Sequence, residues 1–205
     1  MQRWGLHKRI ALKIIEFTGT SPRRLILGFM IATAFLSMWM SNTATAMMMV
    51  PIAIAIIATV LPTKIYKDMT QEHKAFAGCI VLAVAYAASI GGIATLIGTP
   101  ANGILVAQMQ TIFPDAPAVD FFTWLKFGIP LLLIFIPLTW AWLTRVAYRK
   151  MPKTLDHAKE ALKSEVAALG PMSRGEKNTL AVFLLTAFQK GHLPLRAVNW
   201  GVSGR

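Results

Sequence analysis

The stretch "FLSMWMSNTATAMMMVPIAIAI", residues 35 to 56, decides the fold. Ser41, Asn42 and Thr43 stand in the middle of a run that otherwise reads as soluble in lipid, where every polar group needs a partner and no water is guaranteed. An apolar arm of 16 residues leads into the trio, Leu25 to Met40, and another of 18 leads out, Ala44 to Leu61. Sixteen residues at about 1.5 Å rise cover roughly 24 Å, less than the roughly 30 Å of a bilayer core. Basic residues flank both outer ends. These features predict a re-entrant helical hairpin over 25–62 with its tip near mid-membrane. The alternative is two thin transmembrane helices joined by an outer turn.

Working outward, charge is scarce and clustered. The chain has 205 residues, 55% hydrophobic and 15% charged, which is the composition of a polytopic membrane protein. No Asp, Glu, His, Lys or Arg occurs from Leu25 to Pro62, from Ala75 to Phe113, or from Phe127 to Thr144. The net charge of +12 does not point to nucleic acid, because the basic residues flank apolar spans. Blocks of six Lys and Arg from Met1 to Arg24, three from Lys64 to Lys74 and eight from Arg145 to Lys177 read as cytoplasmic. The segment from Gln110 to Thr123, with Asp115, Asp120 and no basic residue, reads as external. No cleaved signal peptide is evident. The single Cys79 has no partner for a disulfide and reads as packing.

Residues 1–24 are expected to form a cytoplasmic or interfacial helix, with Leu6, Ile10, Ile14 and Phe17 on one side, and Ser21–Pro22 is set to start the next helix. Residues 75–109 predict a broken transmembrane helix, because Ser89, Gly91, Gly92, Thr95, Gly98, Thr99, Pro100 and Asn102 interrupt it. Thr99–Pro100 suits the N-cap and first turn of a second half-helix. Residues 124–144 predict a full transmembrane helix anchored by Trp124, Trp140 and Trp142. Residues 145–177 form a charged cytoplasmic connector, broken at Gly170 and Pro171. A further transmembrane helix starts at 178–188 and stops at about half length. The tail 189–205 is polar and basic, and it reads as truncated or shifted in frame near Phe188.

The apolar spans hold no acid, base or ion pair, so the serines have no base to activate them and an enzyme is not indicated. Neutral hydroxyls, amides and freed carbonyls instead suit a small hard cation such as sodium. Ser37, Ser41 and Asn42 precede or form the tip, with Ser37 and Ser41 expected on one helix face, and carbonyls at a break around Gly91 and Gly92 complete the set. The arm beginning after Thr43 and the half-helix beginning after Thr99 both offer positive N-terminal ends to an anion. Thr33, Thr45, Thr59 and Thr95 read as interhelical glue, and the methionines of "AMMM", Ala46 to Met49, as adaptable packing.

The motifs "SNTATAMMMVP" and "AYAASIGGIATLIGTPAN", about 45 residues apart and in this order, resemble the signatures of the divalent anion:sodium symporters. The resemblance covers roughly Arg9 to Phe188. It implies an all-α elevator-type transporter in the cell's inner, plasma membrane, usually a homodimer, built from two inverted repeats that each carry a re-entrant hairpin. By position, Ser37, Ser41, Asn42 and the backbone at Gly91 and Gly92 would form a sodium site. Asn42 and Thr43 would contact a substrate carboxylate, with Thr99, Pro100 and Asn102 close by. Only one Ser-Asn-Thr is present, so the chain reads as one half of the inverted-repeat unit of a longer protein.

The expected function is therefore sodium-coupled transport of di- or tricarboxylate anions such as succinate, with co-transported sodium and a small anionic substrate as partners. A sulfate or citrate permease or exchanger is one alternative. A truncated remnant that transports nothing is the other.

Overall fold

The computed structural model describes residues 6–19, 21–60, 69–117, 119–152, 154–155 and 158–190, and all regular structure among them is helical. The expected hairpin boundary at 61–62 and all but two residues of the tail 189–205 lie outside the described residues. The elements run α1 (Leu6–Thr18), α2 (Pro22–Ser37), α3 (Asn42–Val60), α4 (Gln71–Ala94), α5 (Pro100–Ile112), α6 (Phe121–Trp142), α7 (Ala158–Ala167) and α8 (Arg174–Lys190). A π-helical turn, Leu143–Ala147, extends α6.

The core is a layered packing of α2 between α1 and α4, with α3 and α6 against α4. Close approach is set by small residues. At Gly28 on α2 an added Cβ would lie 2.2 Å from Thr18 Oγ1 and 3.1 Å from the Ile15 backbone, so α1 rests directly on α2. This contact selects the stripe of α1 that is buried in the core. Ala11, Leu12 and Ile15 are buried, while Phe17 is 94% exposed. Spacing alone groups Ile10, Ile14 and Phe17, but the glycine on the partner helix selects the neighbouring stripe.

Ser21 and Pro22 start α2 as the sequence predicts, Ser21 being extended at φ −68°, ψ 148°. The chain then turns through Met38–Ser41 and re-enters a helix at Asn42, two residues earlier than expected. The cause is Ser41, which caps α3: its Oγ accepts from Ala44 N at 3.3 Å and its carbonyl from Thr45 N at 3.0 Å. Ser37 and Ser41 therefore do not share a helix face; one ends α2 and the other precedes α3.

Helix α4, capped by Thr70 through His73 N at 3.3 Å, continues through Gly91 and Gly92 and ends only at Ala94. The break is the segment Thr95 to Thr99, so the glycine pair does not itself interrupt the helix. Its role is contact: an added Cβ at Gly91 would meet the Ala34 carbonyl oxygen at 2.3 Å and Ala34 Cα at 2.6 Å. Thr99 and Pro100 do begin α5, with Thr99 extended at φ −142°, ψ 144°. Only Asn102 and Val106 of α5 are buried.

Among the described residues two helices are long and apolar enough to cross a membrane, α4 with 24 residues and α6 with its π turn, 27 residues from Phe121 to Ala147. Helix α6 begins beside the hairpin tip, where Trp39 and Phe121 stack tilted with ring centroids 6.4 Å apart. The tip thus stands beside the first turn of α6. Anchorage of α6 on the end of α4 causes this: Trp124 Nε1 donates to Ile93 O at 2.9 Å, and an added Cβ at Gly128 would lie 2.2 Å from Ala94 O. Met49 and Cys79 pack in the core, whereas Met47 is exposed.

The connector is helical to Ala167 and reverses at Gly170, whose φ of +58° suits glycine. One guanidinium helps to fasten it. Arg9 on α1 donates to Glu176 Oε1 at 2.9 Å, to Gly170 O at 2.9 Å and to Leu169 O at 3.0 Å. Glu176 also accepts from Ser173 N at 2.7 Å while its own N–H donates to Ser173 Oγ at 3.1 Å, a reciprocal cap on α8.

Candidate functional site

Four helix ends meet below the hairpin tip: the C-termini of α2 and α4 and the N-termini of α3 and α5. The last four carbonyls of a helix and its first four N–H groups lack partners within it, so such a junction holds unspent acceptors and donors. The negative ends favour a cation and the positive ends an anion.

The two C-termini converge at Gly98. An added Cβ there would lie 2.5 Å from Gly92 O and 3.0 Å from Ser37 O, so these carbonyls approach one point that only a residue without a side chain leaves open. Beside them, Ser37 Oγ lies 2.9 Å from Asn42 Oδ1 and 2.7 Å from Ala88 O. Ser37 is fully buried. One hydroxyl hydrogen serves one of these acceptors at a time or is shared between them, which keeps Asn42 Oδ1 an under-used acceptor. The resulting group of oxygens, from Ser37, Asn42, Ala88 and Gly92, is neutral throughout. Among the described residues no cluster of three or more His, Cys, Asp and Glu exists.

The two N-termini meet at Gly92. An added Cβ at Gly92 would lie 2.1 Å from Asn42 Oδ1, so the first residue of α3 rests on α4 at this glycine. From the other side, Asn102 in the first turn of α5 donates through Nδ2 to Gly92 O at 2.9 Å and to Thr95 O at 2.8 Å. Asn102 is buried and spends its donors on the break itself. It positions the site, and its N–H groups are not available to a ligand.

Of the residues singled out from sequence, Ser37, Asn42, Gly92 and Asn102 are brought together. Gly91 lies against Ala34 on α2. Ser41 and Thr43 are exposed at the start of α3, and Thr99 and Pro100 flank the start of α5. Sequence reasoning missed the role of Gly98. Thr95 Oγ1 donates to Met38 O, tying the break to the hairpin tip. This is the interhelical linkage expected of the threonines. Thr33 and Thr45 do not supply it, since their hydroxyls are buried with no partner among the described residues; the side chain of Thr59 lies outside them. The signal for Gly98 was its place in "LIGTPAN", where a glycine one residue before a cap-and-proline pair leaves room for the preceding helix end.

The citrate transporter family profile matches residues 1–202. The sodium-dependent dicarboxylate transporter SdcS of Staphylococcus saprophyticus is 42% identical over 188 residues, which cover 92% of this chain and 36% of the relative. SdcS of Staphylococcus aureus is 39% identical over 187 residues, covering 91% of this chain and 36% of the relative. The Na(+)/citrate cotransporter of Rattus norvegicus is 38% identical over 228 residues, covering 89% and 40% respectively. The chain thus spans 36 to 40% of the length of these relatives.

Proposed function

The chain belongs to the citrate transporter family, and on that premise we propose that it supplies one sodium site and one side of the substrate site of a sodium-coupled carboxylate transporter. Co-transported sodium is held by Ser37, Asn42 and the carbonyls of the α4 end at Gly91 and Gly92, with Ser41 at the rim. One observation carries this reading: the carbonyls of Ser37 and Gly92 converge within 3.0 Å of the vacant Cβ position of Gly98, beside Asn42. Two helix C-termini and neutral oxygens are the donor set a small monovalent cation takes in place of water.

The substrate carboxylate sits on the N-terminal ends of α3 and α5, against Asn42 and Thr43 on one side and Thr99 and Pro100 on the other. Asn102 holds these ends in place. Sodium and substrate share Asn42, so each raises the affinity for the other; by linkage the coupling is reciprocal. Helices α2 and α3 form a re-entrant hairpin beside the crossing helices α4 and α6, α8 opens a further crossing, and the basic segments lie on the cytoplasmic side of a cell's inner membrane. The working unit is a homodimer.

The names of the relatives support both dicarboxylate and citrate as substrates. Succinate is the first reading, because SdcS of Staphylococcus saprophyticus, a dicarboxylate transporter, is the more similar of the two kinds described. The test is binding and uptake of radiolabelled succinate by the chain in proteoliposomes, with sodium against choline outside. Signal that requires sodium and falls sharply in Asn42→Ala is expected. Sodium-independent signal unchanged by that substitution overturns the reading, and citrate outcompeting succinate moves the assignment to the tricarboxylate.

A further inference from the structure

The last four carbonyls of a helix have no partner within it, and on α4 these belong to Gly91, Gly92, Ile93 and Ala94. Successive carbonyls stand about 100° apart around a helix axis, so holding one of them fixes the direction of its neighbours. The Ile93 carbonyl is held by α6: Trp124, half-buried, donates its indole N–H to it at 2.9 Å. The Ala94 carbonyl lies against α6 as well, its oxygen 2.2 Å from the Cβ position of Gly128. The Gly92 carbonyl is turned instead to Gly98 and to the Asn102 amide, which donates to it at 2.9 Å.

The same side of α6 reaches the hairpin. Phe121, Trp124 and Gly128 stand at i, i+3 and i+7, the spacing of a single helix face, and Phe121 stacks on Trp39 with ring centroids 6.4 Å apart. Asp120 caps the start of this face, its Oδ1 accepting from Thr123 N at 2.7 Å. One face of α6 therefore touches both the tip that follows Ser37 and the end of α4 that carries Gly92. We propose that Trp124 is a positioning residue for the cation site: by holding Ile93 O on α6 it sets the rotation of the last turn of α4, and so aims Gly92 O at the space beside Gly98. The inference rests on the sodium-binding reading above and adds to it a residue outside the oxygen group. The indole acts through the backbone of Ile93, one residue from the carbonyl that faces the site.

Trp140 supplies a matched control, because its indole also donates to a backbone carbonyl at 2.9 Å, that of Arg23, near the other end of the same helix. The test is thermal unfolding of the detergent-extracted chain titrated with sodium chloride against choline chloride at constant ionic strength, for the parent, Trp124→Phe and Trp140→Phe. Each variant keeps an aromatic ring and loses one indole N–H. The half-saturating sodium concentration is expected to rise about threefold to tenfold in Trp124→Phe, the range that one lost hydrogen bond sets. It stays unchanged in Trp140→Phe, whatever midpoint either variant shows in choline. Gly128→Ala reaches the same turn through the Ala94 carbonyl and is expected to raise it too; where Trp124→Phe does not fold, an unshifted Gly128→Ala overturns the inference. An equal shift in the two tryptophan variants, or none in Trp124→Phe beside a parent that responds to sodium, overturns the inference and leaves the sodium reading standing. A parent with no response to sodium overturns that reading, and the inference with it.

Discussion

Gly92 and Asn42 share one space: the Asn42 amide carbon lies 2.9 Å and its oxygen 2.1 Å from where a Cβ on residue 92 would stand. Gly92→Ala is expected to push Asn42 off α4. Overpacking of this kind costs about 1–3 kcal/mol, and the sodium-dependent rise in thermal midpoint should vanish while α-helical content is kept. A Gly92→Ala protein that gains the same midpoint rise from sodium as the parent would separate Asn42 from the cation.

Asn102→Ala leaves the carbonyls of Gly92 and Thr95 without their donor. Each buried group left unsatisfied costs about 1–3 kcal/mol, so a clear drop in thermal midpoint is expected in detergent. Asn102→Asp should be worse, because it turns an acceptor toward two acceptors. The ranking of the two variants by unfolding midpoint is the check.

Thr95→Val keeps volume and removes the hydroxyl that binds Met38 O. Loss of one neutral hydrogen bond is worth about 1 kcal/mol. Hydrogen exchange at residues 38–41 should rise while the middle of α4 stays protected. Unchanged exchange at the tip would mean that Trp39 packing alone holds it.

Glu176 titrates below the ordinary carboxylate value of 4.5, chiefly because Arg9 donates to it and then because Ser173 N–H does. A depressed pKa means the carboxylate stabilises the fold fully above the ordinary value, and that contribution is lost as pH falls through the lowered one. The difference in thermal midpoint between the parent and Glu176→Gln should therefore be constant above about pH 4.5 and close below it.

The charge-free spans, the Ser21–Pro22 start and the Thr99–Pro100 restart were legible in the sequence because each rests on local chemistry. Three features were not. The glycine pair at 91 and 92 has the composition of a helix break, yet it serves contact with Ala34 and Asn42, residues about 50 positions away. The buried stripe of α1 depends on Gly28 of the next helix. The start of α3 at Asn42 depends on whether Ser41 ends one helix or caps the next, which side-chain spacing does not distinguish. In the candidate site, the residue types were legible from neutrality alone. Which oxygens converge was not, because it is decided by Gly98, whose contribution is an absent side chain.

The π turn after α6 holds one more residue than an α turn, closed by Tyr148 N donating to Leu143 O at 2.9 Å. One added residue advances a helix by about 100°. That rotation is what brings the Tyr148 ring against Gly78 on α4, its hydroxyl 3.4 Å from the Cβ position there. Position along the chain is thereby converted into direction around it: deleting any one residue from 143 to 147 would preserve every side chain on both sides and still aim the whole connector elsewhere.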